Sequence, residues 1–296
     1  DEFLTQKQQQ LPKSAAVLAA LAEVKSLKKD TGTAQQLAQE ALKQNPKYEP
    51  AMMVLARDHY RNRRLDLSLY ALKAVLDGDG KSGKCVDTQQ SDSGGDPNAT
   101  KPADTSACTN PPRNRNNAEG HLLRAIIFRE QSKRTPAMES FAKAIELRPD
   151  LVEARIQLAA YLLESGDAES ALPHLDTAIK YDKDNVRAHL NRADAYRLLG
   201  KTNESKSEFE WVAKKDSSMP QIYYGLGLLY LNATSMPGMD AKTLLTNAIS
   251  SLEKYQQLRP KTASDDSEQL ITRAKAKKDA LDAADKAAAA QSAAAV

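Results

Sequence analysis

The chain has 296 residues, of which 41% are hydrophobic, 27% charged and only 5% aromatic; it is long enough for two domains but poor in the large side chains of one closed core. A net charge of +3 is too small to imply nucleic acid by itself, and no apolar run is long enough to span a membrane. Only four Phe and one Trp are present, and Gly and Pro gather in short turns, so an all-helical chain is expected.

In chain order, residues 1–14 read as a Gln-rich N-terminal tether, and the start at Asp1 with neither methionine nor signal sequence reads as a removed leader or a trimmed end. A 34-residue step then organises the chain, with frames opening at Ala15, Glu49, Ala118, Val152, Val186 and Pro220. In the frame from Val152, Leu158, Ala159 and Leu162 make the apolar stripe of a first helix. Gly166-Asp167 make the turn, and Ala171, Leu175 and Ala178 carry a second helix. The same slots hold Leu21-Ala22, Ala34, Ala38, Ala41 and Pro46 in the first frame, and Leu55-Ala56, Leu69, Leu72 and Val75 in the second. They hold Ala125, Phe128, Ala137, Phe141, Ala144 and Pro149 in the third, and Ala193, Tyr196, Gly200, Phe209 and Val212 in the fifth. Small residues sit where two helices must cross closely, and large ones where a neighbouring hairpin leaves a hole.

The sixth frame is longer, because Gly227 to Ala248 covers 21 residues where Ala159 to Ala171 covers 12. Its extra segment, Ala233 to Asp240, contains Pro237-Gly238 and reads as a long turn, and Pro260 closes the frame. Ser264-Asp265-Asp266 then offers an N-cap to a terminal helix whose face of Leu270, Ile271, Ala274 and Leu281 covers the last hairpin, and the Ala-rich tail from Ala283 is expected to fray. The expected segments are repeats at 15–77 and 118–260, a polar insertion at 78–117, and a capping helix with its tail at 261–296.

The insertion, rich in Gly, Asp, Ser, Asn, Thr and Pro, holds both cysteines, Cys85 and Cys108. Their confinement to one polar segment favours a disulfide and an oxidising compartment, worth roughly 3 kcal/mol of unfolded-state entropy in the chain model. The other reading is two reduced thiols in a cytosolic loop. Zinc is not expected, since His59, His121, His174 and His189 fall on different helices at no ligand spacing. Asp77-Gly-Asp79-Gly opens like a calcium loop, but Lys81 and Thr88 occupy later ligand positions. There is no phosphate loop and no nucleophile elbow, so no enzyme, cofactor or small-molecule substrate is expected. The tripeptides at Asn98, Asn203 and Asn232 match a glycosylation pattern too permissive to weigh. Two basic clusters, Arg57, Arg61, Arg63 and Arg64, and Arg113, Arg115, Arg124, Arg129, Lys133 and Arg134, either face one another across the insertion around an acidic partner, an anionic headgroup or a nucleic-acid backbone, or coat solvent-facing helix surface.

The small slot in the first helix, the alanine early in the second and the closing proline resemble the tetratricopeptide repeat family. His121, Arg155 and His189 stand where that family usually has an aromatic, and Arg192 where it has leucine. The resemblance implies an all-α, right-handed solenoid of about six helical hairpins with a C-terminal capping helix, acting as a non-enzymatic protein-binding scaffold. It also implies a concave groove lined by slots 2, 5, 9 and 12 of each first helix. Carried over, these give Met53 and Arg57; Leu122, Ile126 and Arg129; Ile156 and Leu163; Arg187, Leu190, Asp194 and Arg197; and Tyr224, Leu228 and Leu231. The competing reading of each is packing between repeats. The clamp by which some members grip acidic C-termini is not reproduced by Gln157, Arg187, Leu190 and Asp194, and an amphipathic helix or extended apolar peptide suits the stripe better.

A tether, a repeat array and an insertion disulfide are together similar to the tetratricopeptide lipoproteins of Gram-negative envelopes. That likeness implies a periplasmic place or an outer-membrane lipid anchor upstream of this chain, and protein partners in an envelope machine, with motility, secretion or pilus assembly foremost. The alternative is a cytosolic adaptor for an acidic peptide or anionic partner.

Overall fold

In the computed structural model, residues 2–78, 113–259 and 265–294 are described, and their secondary structure is helical apart from turns and one isolated bridge between Met236 and Met239. The helices are α1 (Glu2–Gln10), α2 (Ala15–Leu27), α3 (Thr31–Gln44), α4 (Glu49–Arg61), α5 (Leu65–Leu76), α6 (Ala118–Glu130), α7 (Arg134–Leu147), α8 (Val152–Glu164), α9 (Ala168–Tyr181), α10 (Val186–Leu198), α11 (Thr202–Lys215), α12 (Pro220–Asn232), α13 (Ala241–Leu258) and α14 (Ser267–Ala294). Every one of the six frame origins is the first residue of a helix, and α2 to α13 pair into six consecutive hairpins. The chain divides into two compact units, residues 1–149 and 150–296, each holding three of those hairpins.

The hairpins close through a few recurring positions. Slot 8 of the first helix is Ala22, Ala56, Ala125, Ala159 or Ala193, every one of them fully buried, so the second helix can approach to backbone distance. Facing it, slot 20 is Ala34, Ser68, Ala137, Ala171 or Ser205, also solvent-free. The two serines keep their hydroxyls satisfied by donating to the slot 8 carbonyl across the crossing, Ser68 Oγ to Ala56 O at 2.7 Å and Ser205 Oγ to Ala193 O at 2.8 Å. The turn between helices is a Schellman motif. In the fourth frame Asp167 N donates to Leu162 O at 2.9 Å, and Arg64, Lys133 and Lys201 repeat that bond to His59, Phe128 and Tyr196. The motif needs a left-handed residue at slot 15, which is Gly166 or Gly200 in two frames but Lys29, Arg63 and Ser132 in the others.

Three features depart from the sequence expectation. Residues 2–10, read as tether, form α1, because EFLTQKQQQ contains no helix breaker. The Ala-rich tail continues α14 as far as Ala294 instead of fraying, in keeping with the high helix propensity of alanine. Residues 113–117, assigned to the insertion, belong to the edge of the third hairpin: Asn117 caps α6 by accepting from Gly120 N at 2.6 Å, and Arg113 donates to Ala74 O and Pro46 O. Cys85 and Cys108 lie outside the described residues.

In the last hairpin of the second unit the slot 8 alanine gives way to Gly227, and a second glycine, Gly225, lies two residues before it. A Cβ at Gly225 would stand 2.2 Å from Phe209 Cζ, and one at Gly227 would stand 2.6 Å from Leu252 Cγ, so both glycines let large side chains of α11 and α13 press on the α12 backbone. Helix α14 then covers this hairpin with buried Ile271 and Ala274, and Leu270 and Leu281 pack against Tyr230, Leu231, Leu244 and Leu245. Its entry is tied down by Asp265, which accepts from Tyr255 Oη and Arg259 Nη1, each at 2.6 Å, and from Ser267 N at 2.9 Å. These contacts hold the Asp265 carboxyl down at about 2.

Candidate interaction face

In the second unit the first helices α8, α10 and α12 present slots 2, 5, 9 and 12 in parallel register. Slot 2 makes a bridge between neighbours, with Arg187 Nη1 donating to Glu153 Oε1 at 3.2 Å and Oε2 at 3.3 Å. At slots 9 and 12 of α10, Arg197 Nε donates to Asp194 Oδ1 at 3.0 Å. Burial raises the pKa of Asp194 above the ordinary carboxylate value, and Arg197 opposes this only in part. Arg187 and Arg197, the arginines of this face, are therefore already answered by carboxylates of their own unit.

The apolar members of the track divide into core and surface. Ile156 is 1% exposed and packs with Ala178 and Ala188, and Leu190, 8% exposed, packs with Phe209, Val212 and Ile222. Leu231 is likewise buried under α14. Inter-repeat packing is what these three do. Leu163, Tyr224 and Leu228 remain half-buried and accessible. Tyr224 is held at the end of the face, its hydroxyl donating to Asp266 Oδ1 at 2.8 Å and its ring 5.0 Å from that of Tyr255. Burial, followed by the Asp266 carboxylate, pushes its phenol up to about 12.

In the first unit, Leu122, Ile126 and Arg129 are half-buried along α6, whereas Met53 belongs to the core beneath α4. The basic cluster on this unit is ion-paired and hydrogen-bonded. Arg57 lies 2.7 Å from Glu23 and 3.6 Å from Glu119, Arg63 2.8 Å from Glu130, and Arg124 3.0 Å from Asp77. Arg61 Nη1 donates to Ser26 Oγ at 2.5 Å, beside the fully buried Asp58, which also accepts from Gln35 Nε2 at 2.6 Å. Sequence reading missed the acidic partners, although their signal was present. Glu23 and Arg57 occupy one slot in successive frames, as do Glu153 and Arg187, and opposite charges one repeat apart on one face are neighbours.

His121, His189 and Arg192, at slots where an aromatic or leucine is expected, sit in polar networks. His121 Nε2 lies 2.9 Å from Arg115 O while its Nδ1 lies 3.1 Å from Arg124 Nη2, a pairing that selects the neutral ring with the proton on Nε2. His189 stacks on Trp211 with centroids 3.7 Å apart and contacts Glu208, which also receives Arg192 at 2.7 Å. Among the described residues no group of three His, Cys, Asp or Glu side chains could hold a metal ion, and no helix is long and apolar enough to cross a membrane.

Residues 162–226 match the tetratricopeptide repeat family model. Among solved structures the chain is similar to Pseudomonas aeruginosa PilF, at a TM-score of 0.57 and 12% identity over 89% of this chain and 97% of that one. It is also similar to PilW, described as a widely conserved type IV pilus biogenesis factor, at 0.50 and 18% identity over 76% and 85%. The APC/C hetero-tetramer Cut9-Hcn1 aligns at 0.54 and 12% identity over 92% of this chain, which spans only 45% of the longer chain. At these identities the likeness speaks to the fold.

Proposed function

We propose that this chain, built of tetratricopeptide repeats, is a non-enzymatic scaffold that receives a segment of a protein partner on the face of α8, α10 and α12, within an exported bacterial envelope assembly of the pilus or motility type. One observation carries the reading. The ionisable groups of that face answer one another, Glu153 with Arg187 and Asp194 with Arg197, which leaves Leu163, Tyr224 and Leu228 as its accessible apolar contacts. An amphipathic helix or an extended apolar peptide complements such a surface, burying its own apolar side chains at roughly 25 cal/mol per Å². The Tyr224–Asp266 bond fixes one end of the track and lowers the entropy lost on binding.

Partner capture from an envelope extract tests this. Leu163→Glu combined with Leu228→Glu should abolish recovery of the partner while helicity is retained, and capture unaffected by that pair would remove the face from the account. The envelope location draws support from Cys85 and Cys108, the only cysteines of the chain, set together in its most polar stretch. A thiol titration of protein produced in an oxidising compartment should find no free thiol; two free thiols would favour the cytosolic adaptor.

A further inference from the structure

A second site lies away from that face, in a cleft of about 500 Å³ lined by α11, α12 and α13 of the second unit. Its floor is Tyr223 and Leu226 with Tyr230, one wall carries Lys206 and Glu210, and the other carries Asn247, Ser250, Ser251 and Lys254, with Met239 of the long turn alongside. The cleft follows from the two glycines described above. They draw Phe209 and Leu252 onto α12 and so seat α11 and α13 close over the α12 backbone, where their outward residues become walls.

The lining is rich in unused donors. Tyr230 is 8% exposed as a residue, and its hydroxyl has no hydrogen-bond partner among the described residues. The Asn247 amide donates only to the thioether sulfur of Met239, at 3.6 Å. The Ser250 and Ser251 hydroxyls and the Lys254 ammonium are likewise unpaired among the described residues. The one carboxylate of the cleft, Glu210, lies 3.5 Å from Lys206, which leaves Lys254 as its uncompensated charge. Burial and the Glu210 charge both raise the pKa of Tyr230, so the phenol keeps its proton and remains a donor.

We infer that this cleft binds a short acidic segment of a protein partner, a carboxylate meeting Lys254, Ser250, Ser251 and Tyr230 while the adjoining apolar side chain lies on Leu226, Tyr223 and Met239. Its volume falls in the usual range of roughly 300–1,000 Å³ for sites that enclose a ligand, enough for a few residues and too little for a folded surface. Unpaired donors lining the cleft favour a charged acceptor over a neutral one, because charge-assisted hydrogen bonds are about twice as strong.

The test is a titration of full-length protein, labelled at the methionine methyl carbons, with the synthetic peptide acetyl-Glu-Leu-Glu-Leu-amide and with its Gln-for-Glu counterpart. The acidic peptide should shift the Met239 methyl resonance saturably and the neutral one should not. Lys254→Gln and Tyr230→Phe should each weaken binding by about three- to tenfold, the loss of a single polar contact, with circular dichroism unchanged. A Met239 resonance indifferent to the acidic peptide, equal shifts from the two peptides, or equal affinity in the folded variants would each overturn the site. The peptide comparison needs no variant and decides the matter even if one misfolds.

Discussion

Lys29, Arg63 and Ser132 hold left-handed backbone, at φ 64°, 60° and 56°, where Gly166 and Gly200 hold the same turn without a Cβ. Each such residue costs roughly 1–2 kcal/mol, partly offset because glycine would lose more entropy on folding. Lys29→Gly should therefore stabilise the first unit by about 0.5–1 kcal/mol, read from a urea midpoint, and Gly166→Ala should destabilise the second by about 1 kcal/mol. An unchanged midpoint for Lys29→Gly would show that the turn carries no strain. Helical glycines make the opposite case. Gly225→Ala and Gly227→Ala should each lose about 1–3 kcal/mol, although alanine is the better helix former, because Phe209 and Leu252 occupy the space. Gly32→Ala, with no atom within 4 Å of its Cβ, should gain a few tenths of a kcal/mol. The glycine turns at 166 and 200 were legible in the sequence. The other three were not, since Lys, Arg and Ser give no turn signal and only their place in the 34-residue step betrays them.

A hairpin is decided by its crossing. Ala171 has no exposed surface and touches Ala159, Leu175 and their neighbours, so Ala171→Leu should overpack the fourth hairpin by roughly 1–3 kcal/mol and lower the thermal midpoint. Ser205→Ala should cost less, about 0.5–1 kcal/mol, because the Ala193 carbonyl keeps its helical bond when the hydroxyl goes. The neutral histidines add a pH dependence. Burial lowers the folded-state pKa of His121, and burial with the Arg155 charge lowers that of His174, both from an ordinary 6.5. The unfolded chain then binds the proton first, so the stability they contribute is complete above about 6.5 and is lost as pH falls below it. His121→Gln should flatten that acid limb of a denaturation-midpoint profile, and a profile identical to the parent would exclude His121 as its source. The helices themselves were readable from small and large slots recurring at a fixed step. The interaction face was readable only in part, because slot arithmetic gives the direction of a side chain from its helix axis and not how near the next helix comes. Ile156 and Leu190 point along the track and are nonetheless covered.

At the scale of the whole molecule, each unit is a run of three hairpins stabilised by their neighbours, and stability is spread along that run. Replacing Cys85 and Cys108 by serine should accordingly leave the melting temperature of the helical units near that of the parent. Loss of the whole helical signal would tie the cysteines to the fold. The repeat boundaries were legible in the sequence, whereas the return point of the polar stretch was not, since Arg113 looks like one more surface cation and acts through its bonds to Ala74 O and Pro46 O. Those bonds have a topological consequence. The chain departs at Gly78, bonded to Lys73 O at 2.9 Å, and is back on the same helix end by Asn114, whose N–H meets Val75 O at 2.9 Å. Entrance and exit are one doorway, so the phase of the hairpins on either side is set without reference to what lies between. Doubling the length of the excursion costs only about 0.6 kcal/mol of closure entropy. The stretch is thus a place where a protein of this build can be lengthened, shortened or given a new module while its repeats keep their count.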